Sequence, residues 1–318
     1  MVSILICSRD RREDLERLVK DLLNMKTKYP FQLVVVEETD NPIPIDKTKY
    51  ISHPLANRGI PYARNLALSG AEGDILVFLD DDCTVHQGWL EHLLKPFEDN
   101  SVVGVQGGVT VPNGTNALGW GESILGVPGG GLTRVFKAKG KNQETREIST
   151  LNCAYRRRVI EEIGGFEKDL KIAGEDYVLA KKACDHGRCL FIPSAMVCHN
   201  SRGSFSKIWH WFIRRGRAEI DVIRVGKQKD TTIVTVLRGS VLFKLFLLII
   251  VGINFPSLFI PLLIFGLLFY LFLQYFRYYK PWEYSSTNIS VLILLPLVKL
   301  TMDTAMDLGR FLQIIFDK

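Results

Sequence analysis

The chain has 318 residues, 47% hydrophobic and 23% charged, with 40 Lys and Arg against 34 Asp and Glu for a net charge of +6. That apolar content, with only six cysteines, excludes a disordered chain, a collagen or coiled-coil repeat and a disulfide-knit miniprotein. Length allows one large domain or two small ones, and the absence of any charge from Leu245 to Phe276 argues against a purely soluble protein.

Val2 to Cys7 reads as an opening strand with Arg9 behind it, not as a signal peptide, so the N-terminus is expected to stay in the cytoplasm. A helix follows from Arg11 to Met25, with Leu15, Leu18, Val19, Leu22 and Leu23 on one face, and then the strand Phe31 to Val36. The same rhythm continues with a helix from Ile60 to Ser69, a strand over Asp74–Asp80, a helix near Trp89 to Phe97 and a strand over Val102–Val111. Apolar strands without polar alternation, separated by helices, predict an α/β fold with a mainly parallel sheet covered on both faces.

Gly126 to Asn142 is rich in Gly and Lys and reads as a mobile loop that lacks the spacing of a P-loop. Strand and helix resume in ISTLNCAYRRRVIEEIGGF, then a helix from Glu175 to His186 and two strands, RCLFIP and AMVCHN. The helix from Ser204 to about Val225 carries Trp209, Trp211 and Phe212 among arginines. That mixture suits a headgroup interface, a lid over the site, or packing beneath the sheet. In a reducing compartment the six cysteines are expected to be structural thiols, and the group Cys184, His186, Cys189, Cys198 and His199 fits no familiar zinc spacing.

The sharpest chemical feature is Asp80-Asp81-Asp82, directly after the apolar strand Ile75 to Leu79. Carboxylates at a strand's carboxyl end face the crevice where open α/β sheets bind ligands. Crowded charges of one sign need a counter-cation, and hard oxygen ligands select Mg²⁺ or Mn²⁺ able to bridge to a diphosphate. An acidic surface turn is the plain alternative.

In order, the segments SILICSRDRREDLERLVKDLL, VVVEETD, NRGIPYARNLAL, GDILVFLDDD, NCAYRRRVIEEIGGF and GEDYVLAKKACDHG resemble the inverting glycosyltransferases of family 2 over roughly residues 2–200. The resemblance implies a GT-A fold, a nucleotide-sugar donor and a divalent cation. It implies that Asp82 and Asp80 hold the metal, and that Asp80, Asp81, Glu37, Glu38 and Arg64 contact the nucleotide-sugar. The two glutamates stand where the family usually has aspartates, one methylene shorter. Arg64 has the alternative role of bridging its helix to the sheet. By the same resemblance Asp176 is the general base and Glu175 a sugar-hydroxyl or acceptor contact, although a carboxylate pair at a helix start also suits an ordinary cap. His199 resembles a histidine that approaches the metal or diphosphate, or simply packs. Arg156, Arg157, Arg158, Arg214 and Arg215 are the cations available to a departing diphosphate, with no single one assigned. The QxxRW motif of processive synthases is absent from WHWFIRRGRAEI, which favours non-processive transfer.

A basic run from Arg202 to Lys244 precedes the apolar stretch, which places the first domain in the cytoplasm near anionic headgroups and explains the charge without nucleic acid. Val241 to Phe276, broken at Asn254, Pro256 and Ser257, predicts a hairpin of two short spans or a re-entrant pair. In the last segment Lys299, Asp303, Asp307 and Arg310 share one helical stripe, so that helix lies in the interface, packs on the catalytic domain, or spans. The expected organisation is a catalytic domain over 1–203, an interfacial helix and linker over 204–236, a membrane hairpin over 237–280 and a last helix over 281–318. The activity expected is transfer of a sugar to a lipid-linked or glycan acceptor at the cytoplasmic membrane face. The alternatives are a polyprenyl-phosphate monosaccharide synthase and a catalytically inactive membrane scaffold.

Overall fold

The computed structural model describes residues 1–56, 58–226, 237 and 239–316, so Lys227, Lys229, Asp230 and Arg238 of the basic run lie outside the described residues. In chain order the elements begin with β1 (Val2–Arg9), α1 (Arg12–Leu23), β2 (Phe31–Glu38), β3 (Lys49–His53), α2 (Ile60–Gly70), β4 (Ile75–Asp80) and β5 (Cys83–Val85). They continue through α3 (Trp89–Leu94), β6 (Val102–Thr110), α4 (Ala117–Ile124), α5 (Gly131–Ala138), β7 (Gln143–Glu144), β8 (Asn152–Arg156), α6 (Arg157–Glu162), α7 (Glu175–Ala183) and β9 (Arg188–His199). The last helices are α8 (Phe205–Val225), α9 (Val241–Asn254), α10 (Pro256–Ser285) and α11 (Ile289–Phe316). Met1–Gly114 with Gly126–Asn200 forms one unit, and Thr115–Leu125 with Ser201–Lys318 forms a second.

The first unit is built on one sheet in the order β3-β2-β1-β4-β8-β6-β9-β5, with β7 beside β9. β3, β2, β1 and β4 are mutually parallel, whereas β8 runs antiparallel to both β4 and β6. Alternate residues of each central strand serve opposite faces. Ile4, Ile6, Val35 and Val77 pack with Leu15, Leu18 and Leu22 of α1 and Trp89, Leu90 and Leu93 of α3. Leu5, Val34, Val36, Leu76 and Phe78 pack on the other side with Ala63 and Ala67 of α2, Val159 and Ile160 of α6, and Leu179 and Ala180 of α7. Burial on both faces is why these strands carry unbroken apolar runs.

Three local expectations change. Gly126 to Asn142 is not wholly loop, because after its glycines Leu132, Val135 and Ala138 fall on one buried helical face and form α5. The two strands expected over Arg188–Asn200 are one, since an irregularity in pairing between Gly107 and Val109 of β6 lets β9 run on past Pro193. Cys184 and Cys189 are joined as a disulfide across the turn between α7 and β9, with Cα atoms 5.7 Å apart, where thiols were expected. β3, β5 and β7, of five, three and two residues, are too short to leave a periodic signal.

The second unit is helical. α8 and α11 cross so closely that a Cβ on Gly216 would lie 2.1 Å from the Met306 carbonyl oxygen, and one on Gly309 would lie 2.1 Å from that of Ile213. The polar stripe of α11 packs within this unit: Arg310 donates to Glu219 at 2.7 Å, and Gln313 accepts from Arg217 at 2.8 Å and donates to Asp221 at 2.7 Å. α9 ends where Phe255 (φ −135°, ψ 71°) leaves helical geometry and Pro256 opens α10. α10 and α11 are long and apolar enough to cross a membrane. α9, at 14 residues, is about 21 Å long and shorter than a hydrocarbon core of about 30 Å.

Candidate active site

Parallel pairing aligns the carboxyl ends of β2, β1 and β4, with Cys7 opposite Asp80, Ser8 opposite Glu37 and Arg9 opposite Glu38. The acidic residues of two distant segments therefore meet on one edge of the sheet. Beyond Asp80 the chain turns through Asp81 and Asp82 into β5, which pairs antiparallel with β9 so that Cys83 lies opposite His199. This pairing delivers the histidine: its Nε2 is 3.2 Å from Asp82 Oδ1 and 3.8 Å from Asp80 Oδ2. One ligand atom from each of Asp80, Asp82 and His199 falls within a 4.8 Å group that could hold a metal ion. Asp82 is buried, and its Oδ1 accepts no aligned hydrogen bond among the described residues.

The triplet is not electrostatically uniform. Burial works to raise Asp80, but His199, Arg64 and Arg11 outweigh it and hold its carboxyl below the usual range. Asp81 is fully buried, and desolvation pushes it up to about 7 despite the pull of Arg11. Arg11 spans two of the three acids, with Nη2 3.0 Å from Asp81 Oδ1 and Nη1 2.6 Å from Asp82 Oδ2.

Glu37 and Glu38 are both buried at the end of β2. Glu37 Oε2 accepts from Tyr50 Oη at 2.5 Å and from Arg12 Nη1 at 2.8 Å, while Glu38 Oε1 accepts from the Ala56 amide at 3.2 Å. Arg64, on α2, ion-pairs with Glu175 and lies 3.6 Å from Asp80 Oδ1, with its guanidinium 5.7 Å from the centre of the Phe166 ring. Glu175 keeps it charged against the cost of burial. Burial in turn raises Glu175, and Arg64 opposes that rise. Arg64 thus joins the start of α7 to the acidic triplet, and the bridging role weighed for it from sequence is present in the structure. Gly174, at φ +93°, supplies the left-handed turn that starts α7. Asp176 follows as a half-buried carboxylate whose Oδ1 accepts from the Tyr177 amide at 2.8 Å.

The arginine run does not join this cluster. Arg156 pairs with Ile75 at the opposite end of β4, five residues and roughly 16 Å from Asp80. There its guanidinium donates to the carbonyls of Val102 and Phe97, Arg157 donates to that of Gly73, and Arg158 is exposed. Arg214 and Arg215 belong to the second unit, where Arg215 lies over the Trp211 ring. Two cations that do line the acidic edge, Arg11 and Arg12, went unassigned from sequence. Their signal was positional: they leave β1, the strand lying between the two that end in acids. A buried organiser was also missed. Asn152 accepts from Trp89 Nε1 at 2.9 Å and donates to the Gly108 and Ala195 carbonyls, tying β8 to β6, β9 and α3.

The sequence model described as Glycosyl transferase family 2 matches residues 3–164. Glycosyltransferase AglE of Haloferax volcanii is 28% identical over 240 residues, 70% of this chain and 73% of that protein. The glucosyl-dolichyl phosphate glucuronosyltransferase of the same organism is 26% identical over 209 residues, 57% of this chain and 61% of that one. Among solved structures, mannosyltransferase PcManGT from Pyrobaculum calidifontis, in complex with GDP-Man and Mn²⁺, matches with a TM-score of 0.56 over 100% of this chain and 88% of that one. At 15% identity that likeness is one of fold, a mixed α/β sheet of GT-A type.

Proposed function

The chain belongs to glycosyl transferase family 2, and from that premise we propose that it moves a sugar, with inversion, from a nucleotide-sugar donor to a hydroxyl of a lipid-linked or glycan acceptor. The observation that carries the reading is the meeting of Asp80, Asp82 and His199 within 4.8 Å at the carboxyl edge of the sheet. Two carboxylates and an imidazole suit a divalent cation, and the nitrogen favours Mn²⁺ over the all-oxygen preference of Mg²⁺. Such a cation supplies charge stabilisation to the departing nucleoside diphosphate.

The protein's own groups divide the remaining work. Glu37 and Glu38 offer acceptors to the nucleoside, already oriented by Tyr50, Arg12 and the Ala56 amide. Asp80 and Asp81 complete the donor side, and Arg64 fixes Asp80 relative to Glu175. Asp176 takes the proton from the acceptor hydroxyl, which is a poor nucleophile until deprotonated. Glu175 is held by Arg64 and is better suited to accept from a sugar hydroxyl than to act as the base.

Residues 1–203 carry the chemistry in this reading, and residues 237–280 anchor it, with α11 packed beside α8. The hairpin enters and leaves on the cytoplasmic face, because basic residues flank it at both ends, Lys244 before the uncharged stretch and Arg277 and Lys280 after it. A membrane anchor and a relative named for glucosyl-dolichyl phosphate both favour a lipid-linked sugar as acceptor. Thermal denaturation with a panel of nucleoside diphosphates and their sugars tests the donor site. One nucleotide series should raise Tm in Mn²⁺ and lose that effect in EDTA, whereas no shift from any of them would reject the reading.

A further inference from the structure

Arg11 precedes α1 at the exit of β1, and its guanidinium lies across two carboxylates of different kinds. Asp81 is wholly buried, while Asp82 is the carboxylate that turns its other oxygen toward His199. The arginine reaches them from outside, with its side chain 48% exposed where theirs are buried. Its Nη1 is 2.6 Å from Asp82 Oδ2 while Asp82 Oδ1 faces the cluster that could hold a cation. A divalent ion held by Asp80, Asp82 and His199 would therefore sit beside a positive charge that shares Asp82 with it. Like charges this close repel strongly in a partly buried site. A diphosphate reverses the sign: it brings negative oxygens, which a planar guanidinium binds through two donors at once.

We propose that Arg11 is a positioning residue that couples the cation to the donor. On Asp82 it opposes a divalent ion arriving alone, and with the donor present it moves from Asp82 to the diphosphate, so that metal and donor bind as a unit. This rests on the metal-dependent reading above. A purely structural Arg11, serving only as counter-ion to buried Asp81, would make no such distinction between the two ligands.

The test uses the full chain in detergent and two probes, Mn²⁺ alone, followed by the electron paramagnetic resonance of the free ion, and preformed Mn²⁺–pyrophosphate, followed by calorimetry. Arg11→Gln should bind Mn²⁺ alone about tenfold more tightly and Mn²⁺–pyrophosphate about tenfold more weakly. Arg11→Lys, which keeps the charge, should stay within about threefold of the wild type for Mn²⁺ alone. Unchanged or weakened Mn²⁺ binding in Arg11→Gln would overturn the proposal. If that variant fails to fold, Arg11→Gln combined with Asp81→Asn removes the uncompensated acid, and the same tightening is required of it. Asp82→Asn separates the two levels of the argument. Mn²⁺ binding that survives it means the metal reading itself has failed, whereas binding lost there but indifferent to Arg11 means that only the coupling has.

Discussion

Two acidic clusters, one in each unit, are built to opposite plans. On α11, Asp307 is closed: its Oδ2 accepts from Ser240 Oγ at 2.9 Å and from the Val241 and Leu242 amides at 2.7 and 3.1 Å, and its Oδ1 accepts from Arg310 at 3.0 Å. The charge caps α9, and its arginine is in turn committed to Glu219. At the end of β4 the acids are crowded rather than closed. Asp81 and Asp82 share Arg11, and the other oxygen of Asp82 lies 3.2 Å from His199 Nε2 without an aligned hydrogen bond among the described residues. Carboxylates grouped this closely beside an imidazole are costly to keep without a counter-charge, and one ligand atom from each of Asp80, Asp82 and His199 lies within the 4.8 Å that could hold a cation. Both clusters are acidic, and their hydrogen bonding distinguishes the acid closed by the chain itself from the acids grouped closely enough to hold a cation.

The largest effect should come from breaking the open cluster. Asp82→Asn is expected to remove Mn²⁺ binding and lower turnover by at least about 10³-fold while leaving Tm nearly unchanged, measured by activity and thermal melts on one preparation. A large fall in Tm instead would make Asp82 a structural acid like Asp307. Next in size, Asp176→Asn should cut kcat by about 10²–10⁴-fold with donor Kd preserved, since the proton acceptor is lost without disturbing the donor side. Near-normal turnover there would point to an acceptor already ionised, as a lipid phosphate is.

The closed cluster should answer in stability and not in chemistry. Asp307→Ala removes the acceptor of Ser240 Oγ and of the Val241 and Leu242 amides at the start of α9, at a cost of about 1–3 kcal/mol in unfolding free energy, with Mn²⁺ affinity unaltered. A change in Mn²⁺ affinity would dissolve the distinction drawn between the two clusters. Lys299→Ala, which breaks only the part-exposed pair with Asp303 one turn away, should cost under about 1 kcal/mol and is the smallest effect expected.

Much of the acidic edge was legible because it rests on local signals: an apolar strand ending in DDD, a second ending in EE, and a glycine before ED. The break at Pro256 and the shared stripe of Lys299, Asp303, Asp307 and Arg310 were legible for the same reason. What escaped depends on strand order. Arg11 and Arg12 look like ordinary first-turn helix charges until β1 is known to lie between β2 and β4. The arginine run looked available to a diphosphate until β8 was seen to run antiparallel, which carries Arg156 to the far end of β4. α5 was hidden because Gly126, Gly129, Gly130 and Gly131 dilute its apolar face, and the packing of α4 on α11, where a Cβ on Gly121 would lie 3.5 Å from Val298, joins segments far apart in the chain.

The central claim is that the open cluster holds a cation for transfer from a nucleotide sugar. It is tested most directly by nucleoside diphosphate release from a panel of nucleotide sugars, with a lipid extract as acceptor, for the wild type and Asp82→Asn in Mn²⁺ and in EDTA. Release from one donor class by the wild type in Mn²⁺, lost in EDTA and lost in Asp82→Asn, is the predicted result. Release that persists undiminished in EDTA or in Asp82→Asn would contradict it.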